Sequence, residues 1–201
     1  MSTRTTARQY WVAIRAMLVF TVVLGVGYTA VITGIGQLAL NHNANGSLTE
    51  ADGATVGSTL IGQSFTDADG AALPEWFQSR PSAAGDGYDG SASSGSNYGP
   101  ENTDLVAAIG DRAAAIEELD GVDPAEIPAD ALTASASGLD PHISPEYAQL
   151  QIARVAEARG LPLAQVRDLV ESHVQSRDVG FLGEPTVNVL ELNIALAALK
   201  G

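Results

Sequence analysis

The sequence predicts an α+β protein: a single N-terminal transmembrane helix followed by one extracytoplasmic α+β domain with short strands and several helices. Three observations carry that expectation. Between Ala16 and Leu40 the chain runs 25 residues without a charged side chain. The charges ahead of that run, Arg4, Arg8 and Arg15, are all positive. The rest of the chain mixes short extended runs irregularly with helical texture, which argues against a doubly wound sheet.

At about 1.5 Å rise per residue the apolar run spans roughly 37 Å, enough for a ~30 Å hydrocarbon core with tilt. Val19, Phe20, Val22, Leu24, Val31, Ile32 and Ile35 give it bulk, and Tyr10 and Trp11 stand where an interfacial aromatic belt would lie. The positive-inside rule then puts residues 1–15 in the cytoplasm, 16–40 in the membrane and 41–201 outside. A cleaved secretory signal would have an apolar core of about 7–15 residues ending in a small-x-small site. This run is longer and leads into Leu40-Asn41-His42, so a retained anchor in the cell membrane is expected. Gly25, Thr29 and Thr33 recur every four residues, with Ala30 and Gly34 beside them. They form a shallow strip that suits close packing on another helix, although no strict G-x-x-x-G is present. Gly and Thr are also ordinary in any membrane helix, and both readings stay open.

Beyond the membrane, Asn45-Gly46 and Asp52-Gly53 are turn dipeptides. Thr55 to Phe65 reads as extended, with bends at Gly57 and Gly62. Residues 80–100 are dominated by Gly, Ser, Asp and Asn, a composition that favours disorder or docking onto a partner. Thr103 is placed to cap a helix carrying Leu105, Val106, Ile109, Ile116 and Leu119, and Gly121 to end it. Ala131 to Ser135 is a short strand candidate. Ser144-Pro145-Glu146 starts a helix that runs to Gly160, another covers about Leu163 to Val174, and Thr186 to Val189 leads from a strand into a last helix.

The whole chain has a formal charge of −14. The first forty residues hold three of its ten basic groups and none of its twenty-four acids, so the outer part carries 7 − 24 = −17. Phosphates would be repelled, which excludes nucleic acid as a partner. With no cysteine there is no disulfide, thiolate metal site or thiol nucleophile. His42, His142 and His173 lack ligand spacing, and no metal site is expected. There is no G-x-S-x-G elbow, no phosphate loop and no dinucleotide fingerprint. The acids Glu117-Glu118 and Asp67/Asp69 read as solvated surface groups. No catalytic residue is assigned, and a membrane-anchored accessory or binding protein fits better than an enzyme.

The most ordered unexplained segment is Thr133 to Pro145, with Ser135, Ser137, Gly138 and Asp140 at its centre. Such a segment can present backbone amides to an anion or a partner. It can equally shape a tight connection into a capped helix, the commoner arrangement.

The residues also resemble a known family. Gly36-Gln37, Asn45-Gly46-Ser47-Leu48, Gly57-Ser58, Leu60-Ile61-Gly62-Gln63, Arg80-Pro81-Ser82-Ala83 and Gly95-Ser96-Asn97 match it in order and spacing. So do the Thr133–Pro145 block, Arg154-Val155-Ala156, Pro185, Val187-Asn188 and Leu190-Glu191-Leu192-Asn193. Together they resemble the C subunit of Kdp-type potassium-transporting ATPases, with a local insertion at Asp67–Leu73. The resemblance implies an accessory, non-catalytic chain in a complex that imports potassium at the expense of ATP. Its implied partners are a pore-forming potassium-binding subunit, a P-type ATPase subunit and a small membrane subunit, all within the lipid bilayer. It further implies a role in assembly and stability of the pump, and a chaperone-like role that raises the ATPase subunit's affinity for ATP. Leu60, Ile61, Gly62 and Gln63, which resemble the tail of the ATP-cassette signature, are the residues onto which nucleotide binding would be carried. The arginine bias places Gln63 outside, where ATP is scarce. The alternative is a membrane-anchored cell-surface binding module or exported hydrolase unrelated to transport.

Overall fold

The computed structural model describes residues 3–199; residues 1–2 and 200–201, at the outer ends of the predicted segments, lie outside the described residues. The chain divides into two units that meet between Leu48 and Thr49.

The first unit is dominated by one long helix. It runs as α1 (Thr3–Phe20), a π-helical stretch over Thr21–Tyr28, and α2 (Thr29–Ala39). Thr6–Ala39, 34 residues, has the length and composition to span a membrane; its most apolar 18-residue window has a mean hydropathy of 2.1, and no part of that window is buried within the chain. The helix begins well ahead of Ala16. The π stretch carries Gly25 and Gly27, residues that let backbone hydrogen bonding shift register at little steric cost. Leu40, at φ −132° and ψ 41°, breaks the helix before the single turn α3 (Asn41–Ala44). Side-chain amides tie this end together: Gln37 Nε2 donates to Asn45 Oδ1 at 3.2 Å, and Asn45 Nδ2 donates to the Asn41 carbonyl at 2.7 Å.

The second unit mixes short strands and helices. Strands β1 (Leu48–Ala51) and β2 (Ala54–Ser58) form a hairpin. Its turn residues Asp52 and Gly53 both have positive φ, 51° and 79°, the twist that a two-residue hairpin requires. The extended run predicted to Phe65 stops at Ser58, where Leu60 N donates to Ser58 Oγ and the chain turns. Helix α4 (Thr103–Asp120) is capped by Asn102 rather than Thr103, because Asn102 Oδ1 accepts from Asp104 N at 2.7 Å. Gly121, in the left-handed conformation at φ 67°, ends it as expected.

A 3₁₀ turn (Pro124–Glu126) leads to α5 (Ala129–Leu132), a helical turn where a strand was expected at Ala131–Ser135. Helix wins there because Thr133 Oγ1 donates back to the Ala129 carbonyl and Arg112 Nη1 donates to the Leu132 carbonyl. The chain continues through β3 (His142–Ile143), α6 (Pro145–Leu150), α7 (Ile152–Arg159), α8 (Leu163–Ser172), β4 (Val174–Gln175), β5 (Thr186–Asn188) and α9 (Val189–Ala198). Ser144 caps α6, accepting from Tyr147 N at 3.1 Å, and Gly160 ends α7. Strand β5 lies between β3 and β4 in an antiparallel sheet, with Ile143 opposite Val187 and Val187 opposite Val174. The core beneath it is apolar: Phe77, Ile143, Val155, Val166, Val170, Val187, Leu192 and Leu196 are buried.

One strap without helix or strand structure crosses this core, and polar side chains hold it. Asn193 Oδ1 accepts from Phe77 N at 3.0 Å while its Nδ2 donates to the Phe77 carbonyl at 2.9 Å. Gln151 Oε1 accepts from Gln78 N, and Arg154 Nη1 donates to the carbonyls of Pro74 and Trp76. Arg154 also pairs with Asp120 at 2.8 Å, both side chains nearly excluded from solvent. Burial raises the Asp120 carboxyl above its usual range, and Arg154 only partly offsets that. Side chains thus replace the ladder a neighbouring strand would have supplied.

Candidate functional site

The two segments singled out in the sequence meet in space. Gly62 N donates to the Leu139 carbonyl at 2.9 Å, joining Leu60–Gln63 to the Thr133–Pro145 block. Between them lies a shallow depression of about 550 Å³ lined by Leu60, Ile61, Ser135, Ser137, Leu139 and Asp140, among others. Leu60, 61% exposed, and Ile61 form an apolar lip on it.

The join is made by glycines that admit no side chain. A Cβ on Gly62 would stand 2.4 Å from Tyr88 Cε1 and 2.6 Å from the Asp140 carbonyl. Gly138, at φ 68°, would place one 2.6 Å from the Ser94 carbonyl and 2.7 Å from Ala84 N. Gly57 is closed off by the Gln63 amide, whose Nε2 donates to the Val56 carbonyl at 2.7 Å.

The glycine-rich segment 80–100, expected to be disordered or docked on a partner, packs on its own domain instead. Ser82 Oγ donates to the Gly138 carbonyl at 2.6 Å, and Ser94 N donates to the Ser137 carbonyl at 2.9 Å. Tyr88 Oη donates to the Arg80 carbonyl, and burial pushes its phenol up to about 12. The serine contacts to this block bridge 43 (137 − 94) to 56 residues along the chain, a separation that no local composition reveals.

The polar groups of the Thr133–Pro145 block face one another. Ser135 Oγ accepts from Gly138 N at 2.8 Å and Ser137 Oγ accepts from Leu139 N at 3.1 Å. Asp140 takes Arg80 Nη1 at 2.9 Å on one oxygen and His142 N at 3.0 Å on the other. Burial alone would raise its carboxyl; His142 and Arg80 outweigh burial and hold it below the usual carboxylate range. Arg80 also reaches the Thr133 carbonyl. These bonds hold the block in shape ahead of Ser144, the cap of α6.

The chain's one lysine is Lys200, Arg80 is engaged by Asp140, and the Gly62 and Gln63 amide donors are taken by carbonyls. Among the described residues no cluster of three His, Asp or Glu groups could hold a metal ion. In the first unit, Gly25 lies in the π stretch while Thr29, Ala30, Thr33 and Gly34 lie in α2. Positions four apart on an α-helix drift forward by about 40° per step. The wider π turn advances less per residue, so the step from Gly25 to Thr29 counters the drift from Thr29 to Thr33. The strip is straighter than a pure α-helix would give.

Known proteins match this chain along most of its length. The family model for KdpC, the K+-transporting ATPase c chain, matches residues 10–198. A potassium-transporting ATPase KdpC subunit from Kineococcus radiotolerans is 52% identical over 189 residues, which cover 94% of this chain and 93% of that one. The Mycobacterium bovis subunit is 50% identical over 194 residues, 96% of this chain and 99% of its own. The Caulobacter vibrioides subunit is 53% identical over 188 residues, 92% and 91% of the two chains. The match runs through the long apolar helix, the glycine-locked join and the side-chain clips alike, and the chain belongs to the KdpC family, the c chains of potassium-transporting ATPases.

Proposed function

We propose that this chain is the accessory subunit that holds an ATP-driven potassium pump together. Its N-terminal residues 1–15 lie in the cytoplasm, residues 16–40 cross the membrane once, and residues 41–201 stand outside. The partners are the pore-forming potassium-binding subunit, the P-type ATPase subunit and a small membrane subunit of the same complex. The observation that carries this reading is the 34-residue helix whose most apolar 18-residue window is left unburied. Such a rod is stable only in lipid or against other helices. Arg8 and Arg15, with no acid nearby, favour the cytoplasmic end for its start. The straightened strip from Gly25 to Gly34 is the face suited to a neighbouring helix.

Outside the membrane the domain works by contact. Its polar groups at the Leu60–Asp140 depression are engaged internally, and what it offers a partner there is the apolar lip of Leu60 and Ile61. A rise in the ATPase subunit's affinity for ATP would then be transmitted through assembly, not through nucleotide held at Leu60–Gln63. Deleting residues 41–201 while keeping the helix tests the proposal in cells dependent on the pump. Loss of co-purifying ATPase subunit and of potassium uptake is expected; normal assembly and uptake would overturn it.

A further inference from the structure

The connection between β4 and β5 presents the two most exposed large apolar side chains among the described residues of the second unit, Val179 and Phe181, with Leu182 beside them. Val179 is 81%, Phe181 70% and Leu182 53% exposed, three large hydrophobic groups within four residues. Single exposed apolar residues are common on protein surfaces, but a contiguous group marks a contact site.

The segment has a defined shape. Asp178 N donates to the Leu182 carbonyl and Leu182 N returns the bond to the Asp178 carbonyl, both at 2.9 Å. Gly180 N donates to the Arg177 carbonyl, and an Arg177–Glu184 ion pair closes the base. At its apex Val179 has φ 54°, a left-handed conformation that a β-branched residue adopts only under constraint. Glycine or asparagine would satisfy that backbone with less strain. A valine held there keeps an apolar group at the tip against its local preference.

We propose that this tip, Val179 to Leu182, is a docking plug that seats in an apolar pocket on another protein subunit of the pump. The proposal rests on the reading of the chain as an assembly subunit. Charge decides among the possible occupants. The outer part, at seven basic against twenty-four acidic residues, is repelled by anionic lipid headgroups. It is equally repelled by a second copy of itself. A protein pocket with basic groups at its rim suits both the apolar tip and Asp178, which has no ion pair among the described residues.

The test uses the whole complex in its own membrane, with a photo-reactive benzoylphenylalanine in place of Phe181. Irradiation should join this chain to another protein subunit of the pump. Adducts to lipid alone, to a second copy of the chain, or to nothing would overturn the proposal. Alongside it, Phe181→Ser and Val179→Asn should each weaken retention of this chain by the complex, Phe181→Ser by roughly thirtyfold or more, the loss expected at a well-packed anchor. Both side chains are solvent-exposed, so thermal unfolding of the purified full chain should be unchanged in Phe181→Ser and, with the strain at position 179 relieved, unchanged or higher in Val179→Asn. Wild-type retention of both variants, with assembly still lost on deletion of residues 41–201, would remove the plug and leave the assembly role standing. Wild-type assembly of the deletion itself would remove both.

Discussion

Asn193→Leu is the substitution that tests most sharply how this domain is held together. Phe77 is fully buried, and its backbone N–H and C=O both bond to the Asn193 side chain, at 3.0 and 2.9 Å. Leucine has the same branched shape and is somewhat larger, so no cavity opens, but both polar groups lose their partner. A buried donor or acceptor left unpaired costs about 1–3 kcal/mol, which puts the pair at about 2–6 kcal/mol before the small gain from an apolar side chain. Domain stabilities are about 5–15 kcal/mol, so this is a large fraction of the total. For a unit of this size each kcal/mol moves the midpoint by about 2–4 °C, so a fall of roughly 5–20 °C is expected. Thermal unfolding of the purified full chain, followed by near-ultraviolet circular dichroism, reads it. A midpoint within about 1 °C of wild type would refute the claim that side-chain amides do the work of a missing strand.

Two further predictions concern the glycine join and its acid. Gly62→Ala forces a methyl group to within 2.6 Å of the Asp140 carbonyl, which cannot yield as a flexible side chain would, so a loss of about 1–3 kcal/mol is expected. Gly90→Ala, with no atom within 4 Å of the added group, should leave the midpoint unchanged and serves as its control. Because the Asp140 carboxyl is held below its ordinary range, it contributes stability that is present above about pH 4 and lost as pH falls through the lowered value. Asp140→Asn should therefore be less stable than wild type at pH 7, with the gap closing below that point. Unfolding midpoints across a pH series check this, and a gap that stays constant into acid would contradict it.

Local signals survived folding where a single residue decides the outcome. Gly121 and Gly160 end their helices because only a left-handed residue closes the turn, and Ser144 caps α6 through its own hydroxyl. The features hidden from the sequence are held by distant partners. Residues 80–100 read as disordered because their composition buries little, yet Ser82, Tyr88 and Ser94 find bonding groups in Gly138, Arg80 and Ser137. Ala131–Leu132 reads as strand, and Arg112 and Thr133 make it a helical turn. At the candidate site, both segments were legible as unusual. Their meeting was not, since the bond from Gly62 to Leu139 joins residues far apart in sequence. The apolar tip at Val179–Leu182 was legible in principle, as hydrophobic residues between glycines in a turn. It lacks the periodicity that marks core residues, so no pattern in the sequence singles it out.

The assembly role requires the larger unit to stand outside the membrane. The chain has no cysteine, so one introduced at Ser91, an exposed position, is a unique label site. Intact cells treated with a membrane-impermeant maleimide should label Ser91→Cys fully, and permeabilising them should add nothing. Labelling that appears only after the membrane is opened would place the domain in the cytoplasm and contradict that topology.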